Sequence, residues 1–369
     1  MKQRIAIFLT GGIGAGNFSQ GFPKIVEIVD ELKVSYDLTI YSFTTVDKGF
    51  IPEGYAIYYP PGWLKIMSLR WSFLIFSFLK NHLNKNYLGM FSFWGYPMGW
   101  LTVLLSKIIR RPAIVTILGA ETAIVTGISY GHLRKQPERK RVIWTCENAS
   151  ALIVLTPHQI KTLREFGLKR NDIFVIPFGT KTELFQFQPK DLKEPLKIIH
   201  VANLTEVKDQ TSLIKAFALL RNDTDAKLRI VGADYLDGKI QLLVNQMGLK
   251  DDIEFTGPLP YKKIPEQFYW ADVCLLTSLS EGQNNSLTEA AMSGVLQVST
   301  PVGHINDLGE ELVVIVNTGD PNDISEKLKM IISNKEAWKS KVAKARKWAE
   351  EHDLNWTIAQ LKKVIDTTI

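Results

Sequence analysis

The chain has 369 residues, of which 46% are hydrophobic and 22% charged, and its formal net charge is +6. This composition is that of a folded protein long enough for two domains, and it excludes a disordered chain. The two cysteines and six histidines are too few and too scattered for a disulfide framework or a zinc site, so we expect neither.

No stretch of the sequence is predicted to span a membrane. The apolar run Trp71–Leu79 is far shorter than the roughly 20 residues that a bilayer requires, and Phe91–Ser106 is interrupted by glycine and proline. The short apolar run near the amino terminus breaks at glycine, unlike a secretory signal peptide. We therefore predict a cytoplasmic protein.

Charge is distributed unevenly along the chain. Residues 1–188 contain 22 Lys and Arg against 12 Asp and Glu, a balance of +10, whereas residues 189–369 balance at −4. Within the basic half, the segment 63–85 interleaves basic residues with tryptophan and phenylalanine. This mixture suits a helix lying on an anionic lipid surface. The simpler alternative, which we favour slightly, is an ordinary helix packed on the sheet. Peripheral membrane attachment is therefore a hypothesis. No nucleic acid partner is expected, because the sequence contains no recognisable nucleic-acid-binding module.

The first half is predicted to form a parallel α/β domain. Its apolar runs alternate with helical stretches, and their near-continuous hydrophobicity is typical of strands covered on both faces. The predicted strands are Arg4–Leu9, Leu38–Phe43, Leu88–Phe93, Ala113–Ile117, Ala151–Leu155 and Ile173–Ile176.

A glycine-rich loop, Gly11-Gly12-Ile13-Gly14-Ala15-Gly16, follows the first predicted strand. Such a loop lets the backbone approach a pyrophosphate, so taken alone it suggests a nicotinamide-dependent oxidoreductase. The acidic residue that would hold a ribose is displaced, because Tyr41–Thr45 intervene before Asp47. The same glycines also suit a turn that is needed only for close packing of strand and helix.

The α/β pattern restarts after a polar, proline-containing segment at 185–195, which is the predicted hinge. We predict an acceptor-side domain over 1–188, a nucleotide-sugar-binding domain over 189–350, and a final helix within 351–369 that packs back toward the first domain. This helix is expected over Asn355–Ile365 with Asn355 as its cap. The predicted strands of the second half are Leu196–Ala202, Lys227–Val231, Ile253–Thr256, Asp272–Thr277, Val295–Ser299 and Leu312–Val316.

The expected fold is therefore α/β, with two doubly wound, Rossmann-like domains facing each other across a cleft. Ligands of open α/β sheets bind outside the carboxyl ends of the strands. Polar or glycine-rich residues that follow each strand are consequently the candidates for function.

The segment Ser280–Glu289 carries the strongest functional signal. It follows a predicted strand and precedes a helix predicted over Leu287–Ser293, with Glu281 in the loop and Glu289 expected in the first helical turn. The free N–H groups of a helix start bind anions such as a diphosphate, and flanking carboxylates suit hydroxyl groups on either side, as in a nucleotide-sugar. The alternative is a capping box, in which Ser286 and Glu289 cap the helix reciprocally.

Several short motifs, each weak alone, occur in one order and spacing. Together they resemble the retaining glycosyltransferases of the GT-B fold, specifically the large glycosyltransferase group 1 family, number 4 in the usual classification. The resemblance covers nearly the whole chain. The motifs are Ile153–Pro157, Val175–Gly179, Val201–Leu204 with Lys208, Ile253–Gly257, Tyr269–Val273, Glu281–Gly294 and Thr300–Gly303.

The resemblance implies a role for each matching residue. Glu281 would contact the donor sugar, Glu289 would hold the ribose hydroxyls, and Lys208 would stabilise the leaving diphosphate. Around them, backbone amides would hold the sugar hydroxyls and the diphosphate. These amides belong to Gln283, Asn284, Asn285, Ser286 and Leu287, and the other residues expected beside the donor are Asn203, Gly257, Leu259 and, in the first domain, Gly12 and Gly14.

Two positions depart from the family pattern. Many relatives have an arginine where this chain has Asn203, and many have a histidine where Leu118 precedes Gly119, with Glu121 nearby. Lys208 would then carry the diphosphate charge alone. These departures leave open an alternative, a glycosyltransferase-like protein that binds nucleotide-sugars without turnover.

The predicted function is retaining transfer of a hexose from a nucleotide-diphosphate sugar to a glycan or lipid-linked saccharide, as in polysaccharide or lipopolysaccharide biosynthesis. No metal or other cofactor is expected, and the sequence does not distinguish UDP-, GDP- and ADP-linked donors. Glu281 is assigned to positioning and electrostatics rather than to attack. A glycosidase is disfavoured, because hydrolases place both carboxylates around one bond, whereas Glu289 is expected to belong to the nucleoside.

Overall fold

The structure is a computed structural model that describes residues 2–369, without the side chain of Ser19. The chain divides into two compact units. The first unit runs to Thr122 and includes Gly131–Pro177 and Thr357–Ile369, and the second contains Ala123–Tyr130 and Phe178–Trp356. The predicted hinge at 185–195 thus lies within the second unit, and the domain limits at residues 188 and 350 stay a prediction.

The first unit contains a seven-stranded sheet whose paired strands are all parallel. Its strand order, β3-β2-β1-β4-β5-β6-β7, reverses direction beside β1, as in Rossmann folds. The six predicted strands are present, but β3 was missed because three residues are too short for a periodic signal. The strands are β1 Gln3–Leu9, β2 Tyr36–Ser42, β3 Ala56–Tyr58, β4 Gly89–Phe93, β5 Ala113–Ile117, β6 Ala151–Val154 and β7 Ile173–Val175.

Helices connect these strands and cover the sheet. Every residue of β4 and of β5 is buried, as their continuous hydrophobicity predicts. Helix α5 begins with a capping box, in which Thr156 and Gln159 satisfy each other's backbone N–H groups. The helices are α1 Pro23–Ser35, α2 Met67–Lys85, α3 Trp100–Ile109, α4 Gln136–Asn148 and α5 Pro157–Glu165.

The second unit repeats the architecture with six parallel strands in the order β10-β9-β8-β11-β12-β13. The direction of the order reverses between β8 and β11, which are hydrogen-bonded neighbours. All six predicted strands are present. They are β8 Leu196–Val201, β9 Ala226–Val231, β10 Ile253–Gly257, β11 Val273–Leu276, β12 Leu296–Ser299 and β13 Val314–Ile315.

Helices again follow the strands of the second sheet. Its core includes one buried cluster between β8, β9 and the helices α6 (Gln210–Arg221) and α11 (Pro321–Ser333). Another buried cluster lies around α8 (Ile264–Trp270) and α9 (Asn285–Met292). The helices are α6 Gln210–Arg221, α7 Lys239–Gln246, α8 Ile264–Trp270, α9 Asn285–Met292, α10 Ile305–Leu308, α11 Pro321–Ser333 and α12 Lys335–Glu351. The last helix, α13 Leu354–Thr368, begins in the second unit and belongs to the first unit from Thr357 onward.

The start of α13 corrects one prediction. The helix begins at Leu354, and Asp353 Oδ1 accepts the backbone N–H of Trp356 at 2.8 Å. Asn355 therefore lies inside the first turn and does not cap the helix. Both side chains are good caps, and the one that precedes the first helical residue takes the role.

Over residues 2–369, none of the helices combines the length and the apolar character that crossing a bilayer would need.

Candidate functional site

Helix α9 and the loop before it occupy the carboxyl end of β11. The helix begins at Asn285, its N-cap residue Asn284 makes no side-chain cap bond, and no acidic residue lies in its first turn. The expected position of Glu289 was therefore wrong, because it lies in the second turn and not in the first. The alternative, a capping box of Ser286 and Glu289, is also wrong, because the N-cap residue is Asn284 and Ser286 is helical. Without such a cap, the helix start is held by other parts of the fold.

Glu281 and Lys208 form an ion pair. Lys208 Nζ contacts Glu281 Oε1, and Ser278 Oγ donates to the same oxygen at 2.7 Å. The pair is partly shielded from solvent, with side-chain exposures of 24% for Lys208 and 13% for Glu281. An ion pair in such a setting is screened less than one on the surface. The structure thus brings together the cation and the carboxylate that were predicted as catalytic.

The end of β11 holds the Lys208 turn in place. Lys208 ends a short 3-10 turn, Glu206–Lys208, just before α6. Thr277 Oγ1 lies within hydrogen-bond distance of the backbone oxygens of Lys208, at 3.0 Å, and of Asp209, at 2.9 Å. Since β8 and β11 are neighbours, the ion pair lies where the strand order of this sheet reverses.

Glu289 is buried and has a tyrosine partner. Its side chain is 5% exposed, and the hydroxyl of Tyr261 donates to Oε1 at 2.8 Å. Tyr261 begins the turn after β10 and packs on Phe185, with 5.7 Å between the ring centroids. The sequence analysis missed Tyr261, because no local pattern predicts a contact across 28 residues.

His304 fixes the start of α9. Its Nδ1 accepts the backbone N–H of Asn284 at 3.1 Å, and its ring stacks on Trp348 of α12 at 5.7 Å between centroids. Burial lowers the pKa of His304 to about 3, so the imidazole is neutral and can accept this bond. The Asn284 amide is consequently engaged within the protein, although it belongs to the amides expected to face a ligand.

The polar side chains beside this helix start differ in their partners. Gln283 clamps the backbone of Phe178, with Oε1 accepting N–H at 2.7 Å and Nε2 donating to the carbonyl at 2.8 Å. By contrast, the Oδ1 atoms of Asn284 and Asn285 are buried and have no hydrogen-bond partner among the residues that the structure describes. Unsatisfied buried acceptors are costly, so these two oxygens suit hydroxyl donors of a ligand or of water.

Gly303 is required for the packing of this region. It has a φ of +57°, and a Cβ at this position would lie 2.7 Å from Asn284 Oδ1. A side chain would therefore collide with the loop that precedes α9.

Asn203, Gly257 and Leu259 lie at the same edge of the second sheet. Asn203 Oδ1 accepts the N–H of Ala233 at 3.0 Å, which joins the ends of β8 and β9. The carbonyl of Gly257 accepts the N–H of Gly232 at 3.0 Å. Leu259 packs against the core cluster that contains α9. The side chain of Asn203 thus stabilises the scaffold at the position where the family resemblance led us to expect an arginine.

Gly12 and Gly14 lie in the first unit, after β1. Gly14 has a φ of +63°, and a Cβ there would lie 2.4 Å from the ring of Phe50. Gly12 has a φ of +96°, and its Cβ would meet Phe22 and Trp94 at 3.2 Å. Close packing alone is thus sufficient to require glycine at both positions. This agrees with the interpretation that these glycines serve a turn needed for close packing of strand and helix.

Glu121 is the buried carboxylate of the first unit. It accepts the backbone N–H of Gly95 at 2.6 Å and of Gly119 at 3.0 Å. Burial raises its pKa, an effect that the backbone donors oppose. Glu121 thereby connects the loops that follow β4 and β5, close to Leu118, where the family resemblance led us to expect a histidine.

The sequence of the second unit is similar to that of known glycosyltransferases. Residues 181–348 match the family described as "Glycosyl transferases group 1". Among curated proteins, the MMP alpha-(1->4)-mannosyltransferase of Mycolicibacterium hassiacum is 27% identical over 183 residues. The match covers 48% of this chain and 42% of that protein, so the chain spans less than half the length of this relative.

Two solved structures match the chain over nearly its whole length. Sucrose-phosphate synthase from Thermosynechococcus elongatus has a TM-score of 0.81 at 17% identity, with 99% of both chains covered. HepE of Anabaena, solved with UDP-glucose, has a TM-score of 0.77 at 17% identity, with 98% of this chain and 99% of that chain covered. At such identities the likeness shows the fold alone. The chain therefore has the GT-B fold, and residues 181–348, slightly less than half of the chain, match the glycosyl transferases group 1 family.

Proposed function

We propose that the chain transfers a hexose from a nucleotide-diphosphate sugar to a glycan or lipid-linked saccharide, with retention of anomeric configuration. One observation carries the proposal: Lys208, Glu281 and the start of α9 meet at the carboxyl edge of a parallel sheet, where its strand order reverses. Open α/β sheets bind nucleotides at this point.

The diphosphate would be held by Lys208 and the start of α9. The N–H groups of Asn284, Asn285 and Leu287, which were expected to face the diphosphate, are engaged within the protein, with His304 Nδ1 and with the carbonyls of Gln283 and Asn284. The helix dipole and the full positive charge of Lys208 are therefore the main attractions for an anion. Charge develops on the phosphate oxygens as the sugar–phosphate bond breaks, so both groups stabilise the transition state. We infer that they supply the charge needed and that no metal or other cofactor is required.

The remaining polar groups would hold the nucleoside and the sugar. Glu289, oriented by the hydroxyl of Tyr261, would accept from the ribose hydroxyls. The unpaired Oδ1 atoms of Asn284 and Asn285 would accept from sugar hydroxyls. Gly257 and Leu259 would border the nucleoside.

Glu281 would act by position and charge. Its Oε1 already accepts from Lys208 and Ser278, which lowers its reactivity as a nucleophile. In the proposed reaction the acceptor hydroxyl oxygen bonds to the anomeric carbon while the bond to the diphosphate breaks. The departing phosphate takes the hydroxyl proton, so acceptor and leaving group share one face of the sugar.

Donor screening tests the proposal. The purified chain is incubated with UDP-, GDP- and ADP-hexoses, with and without oligosaccharide and lipid-linked acceptors, and nucleoside diphosphate release is measured. UDP-sugars come first, because HepE was solved with UDP-glucose. Lys208→Ala should abolish release, whereas the matched control Lys215→Ala, which removes an exposed lysine from α6, should retain it.

The alternative of binding without turnover has its own signature. Its motivation is Asn203, whose side-chain oxygen is engaged with Ala233. A donor that binds, but releases no nucleoside diphosphate with any acceptor, would establish that alternative and refute the transferase.

We also propose that the first unit rests peripherally on the cytoplasmic face of an anionic membrane, through α2 and the turn before it. Exposed apolar side chains are concentrated there, together with the exposed Lys65 and Lys80. That combination suits an anionic lipid surface. The apolar residues, 47% to 85% exposed, are Trp63, Ile66, Met67, Leu69, Phe76 and Leu83.

Two other basic residues of the segment are engaged within the unit. Arg70 donates to the carbonyl oxygens of Leu64 at 3.0 Å and Phe43 at 2.6 Å, and Lys85 donates to Thr39 Oγ1 at 3.0 Å. They anchor the helix rather than meet lipid.

Sedimentation with phosphatidylglycerol vesicles tests the attachment. The double variant Phe76→Ser/Leu83→Ser should remain in the supernatant, whereas the control Ile108→Ser/Met330→Ser, which removes side chains that are each 70% exposed elsewhere, should sediment like the unmodified chain. Equal recovery of the unmodified chain with and without vesicles would refute the attachment.

A further inference from the structure

A cavity lies in the second unit, at the end of α9 opposite to the Glu281 loop. It has a volume of about 660 Å³ and is bounded by Phe187 and Pro189, by Gly294 just after α9, and by one face of α12. This volume is within the range of small-molecule sites. The groups assigned to the donor do not line it.

Part of the cavity lining is apolar. Phe187, Trp338, Val342 and Ala343 provide apolar surface. Trp338 is 3% exposed, and its Nε1 is a buried donor without a partner in the part of the chain that the structure describes. Buried indole N–H groups normally have an acceptor. The cavity thus combines apolar walls with an unsatisfied donor in one of its lining residues.

The rim is cationic, but its basic residues are not equally available. Lys190 Nζ donates to the backbone carbonyls of Phe268 at 3.3 Å and Tyr269 at 2.5 Å. Arg346 lies 4.0 Å from the ring centroid of Phe187 and pairs with Glu350 at 2.7 Å. These two cations are engaged by the protein.

Lys339 and Lys347 are the more available cations. Both are exposed residues of α12, and Lys347 has only a long contact of 3.9 Å with Glu351. They are eight positions apart, about 12 Å along the helix, so both can reach an anion at the mouth of the cavity.

The lining disfavours a carbohydrate. It contains no serine, threonine, asparagine or glutamine, and its one carboxylate, Glu350, is paired with Arg346. Sugar hydroxyls buried there would lack side-chain acceptors, which is costly. An alkyl chain with an anionic head makes no such demand.

We propose that this cavity binds a free single-chain amphiphilic anion, with its alkyl chain against Trp338 and Val342 and its phosphate or carboxylate head at Lys339 and Lys347. The proposal is independent of sugar transfer. It is tested by direct binding, so its failure and that of the transferase are distinguishable.

The probes are butyl, hexyl and octyl phosphate, measured by calorimetry below their micelle concentrations. Affinity should rise by up to about fourfold per added methylene, the limit for full burial, until the cavity is filled. Inorganic phosphate and octanol, which lack the chain and the charge respectively, should each bind at least tenfold more weakly than octyl phosphate.

Variants locate the site. Lys339→Ala/Lys347→Ala should weaken octyl phosphate at least tenfold, and Ala343→Phe, which fills the cavity from an exposed helix position, should remove binding. The control Lys262→Ala/Lys335→Ala makes the same change of charge at exposed lysines outside the cavity and should bind normally.

Three outcomes would overturn the proposal. One is an affinity for octyl phosphate no greater than that for inorganic phosphate. The second is an equal loss in the control variant. The third is that octyl phosphate does not bind, while the chain binds vesicles or doubles its mass in light scattering and Ala343→Phe abolishes that vesicle binding or dimerisation. The lining of the cavity would then bind a lipid surface or a second copy of the chain.

Discussion

Replacing Glu281 by glutamine should tighten the binding of UDP while it reduces sugar transfer. In the free protein the Glu281 carboxylate engages the ammonium of Lys208 and also accepts from Ser278. A diphosphate that binds Lys208 must share this cation with a neighbouring negative charge. Glutamine keeps the shape of the side chain and removes that charge.

The size of the effect follows from the contact. A phosphate oxygen and the Glu281 carboxylate would both lie one hydrogen bond from the same ammonium, about 6 Å apart, where two unit charges repel by about 3 kcal/mol at an effective dielectric of about 20. Solvent reaches both side chains, which are 24% and 13% exposed. Halving the repulsion for screening leaves about 1.4 kcal/mol, roughly a tenfold tighter Kd.

Calorimetric titration with UDP measures this change, and nucleoside diphosphate release measures transfer. Glu326→Gln, at an exposed position of α11, is the matched control and should alter UDP affinity by less than about twofold. Weaker or unchanged UDP binding in Glu281→Gln would refute the competition for Lys208.

Three further predictions concern the surroundings of α9. His304→Phe keeps a ring against Trp348 but leaves the buried Asn284 N–H without its acceptor. The free energy of unfolding measured in urea should therefore fall by about 1–3 kcal/mol. An unchanged midpoint of unfolding would contradict the role of His304 as this acceptor. Burial lowers the pKa of His304 to about 3 and of His200 to about 4, below about 6.5 in the unfolded chain. The contribution of these neutral histidines to the free energy of unfolding should therefore be fully present above pH 6.5 and should fall by about 2 kcal/mol per histidine at pH 5. A double variant with glutamine at both positions should lack this pH dependence when urea unfolding is measured above pH 6.5 and at pH 5. Tyr261→Phe removes a donor to Glu289 and should weaken UDP about tenfold while leaving inhibition by pyrophosphate unchanged, since pyrophosphate has no ribose; equal weakening of both would argue against a nucleoside role.

The sheets were predictable because their strands are coded locally. Continuous apolar runs such as Ala113–Ile117 mark strands that are covered on both faces, and that pattern needs no knowledge of the partner strand. The three-residue strand Ala56–Tyr58 escaped, since a segment so short has no periodicity. The cap of α13 was misplaced by two residues because Asp353 and Asn355 are both suitable caps.

The candidate site was predictable only in part. Residue types and spacing drew attention to Glu281, Glu289 and Lys208. The capping box that Ser286 and Glu289 suggested is absent, since the start of α9 is held instead by His304, a residue of another loop. Local capping rules assume that a helix start must satisfy itself, and here the tertiary structure removes that need.

By itself the sequence determined two parallel α/β units, the loop–helix segment after β11, and the acidic and basic residues around it. Only the tertiary structure decided which of these groups meet. The contacts of Lys208 with Glu281, Tyr261 with Glu289, and Asn284 with His304 join positions 73, 28 and 20 residues apart. Strand and helix signals arise from neighbours along the chain, whereas these contacts depend on the order in which the strands assemble and on the packing of α12 against the loop that carries His304.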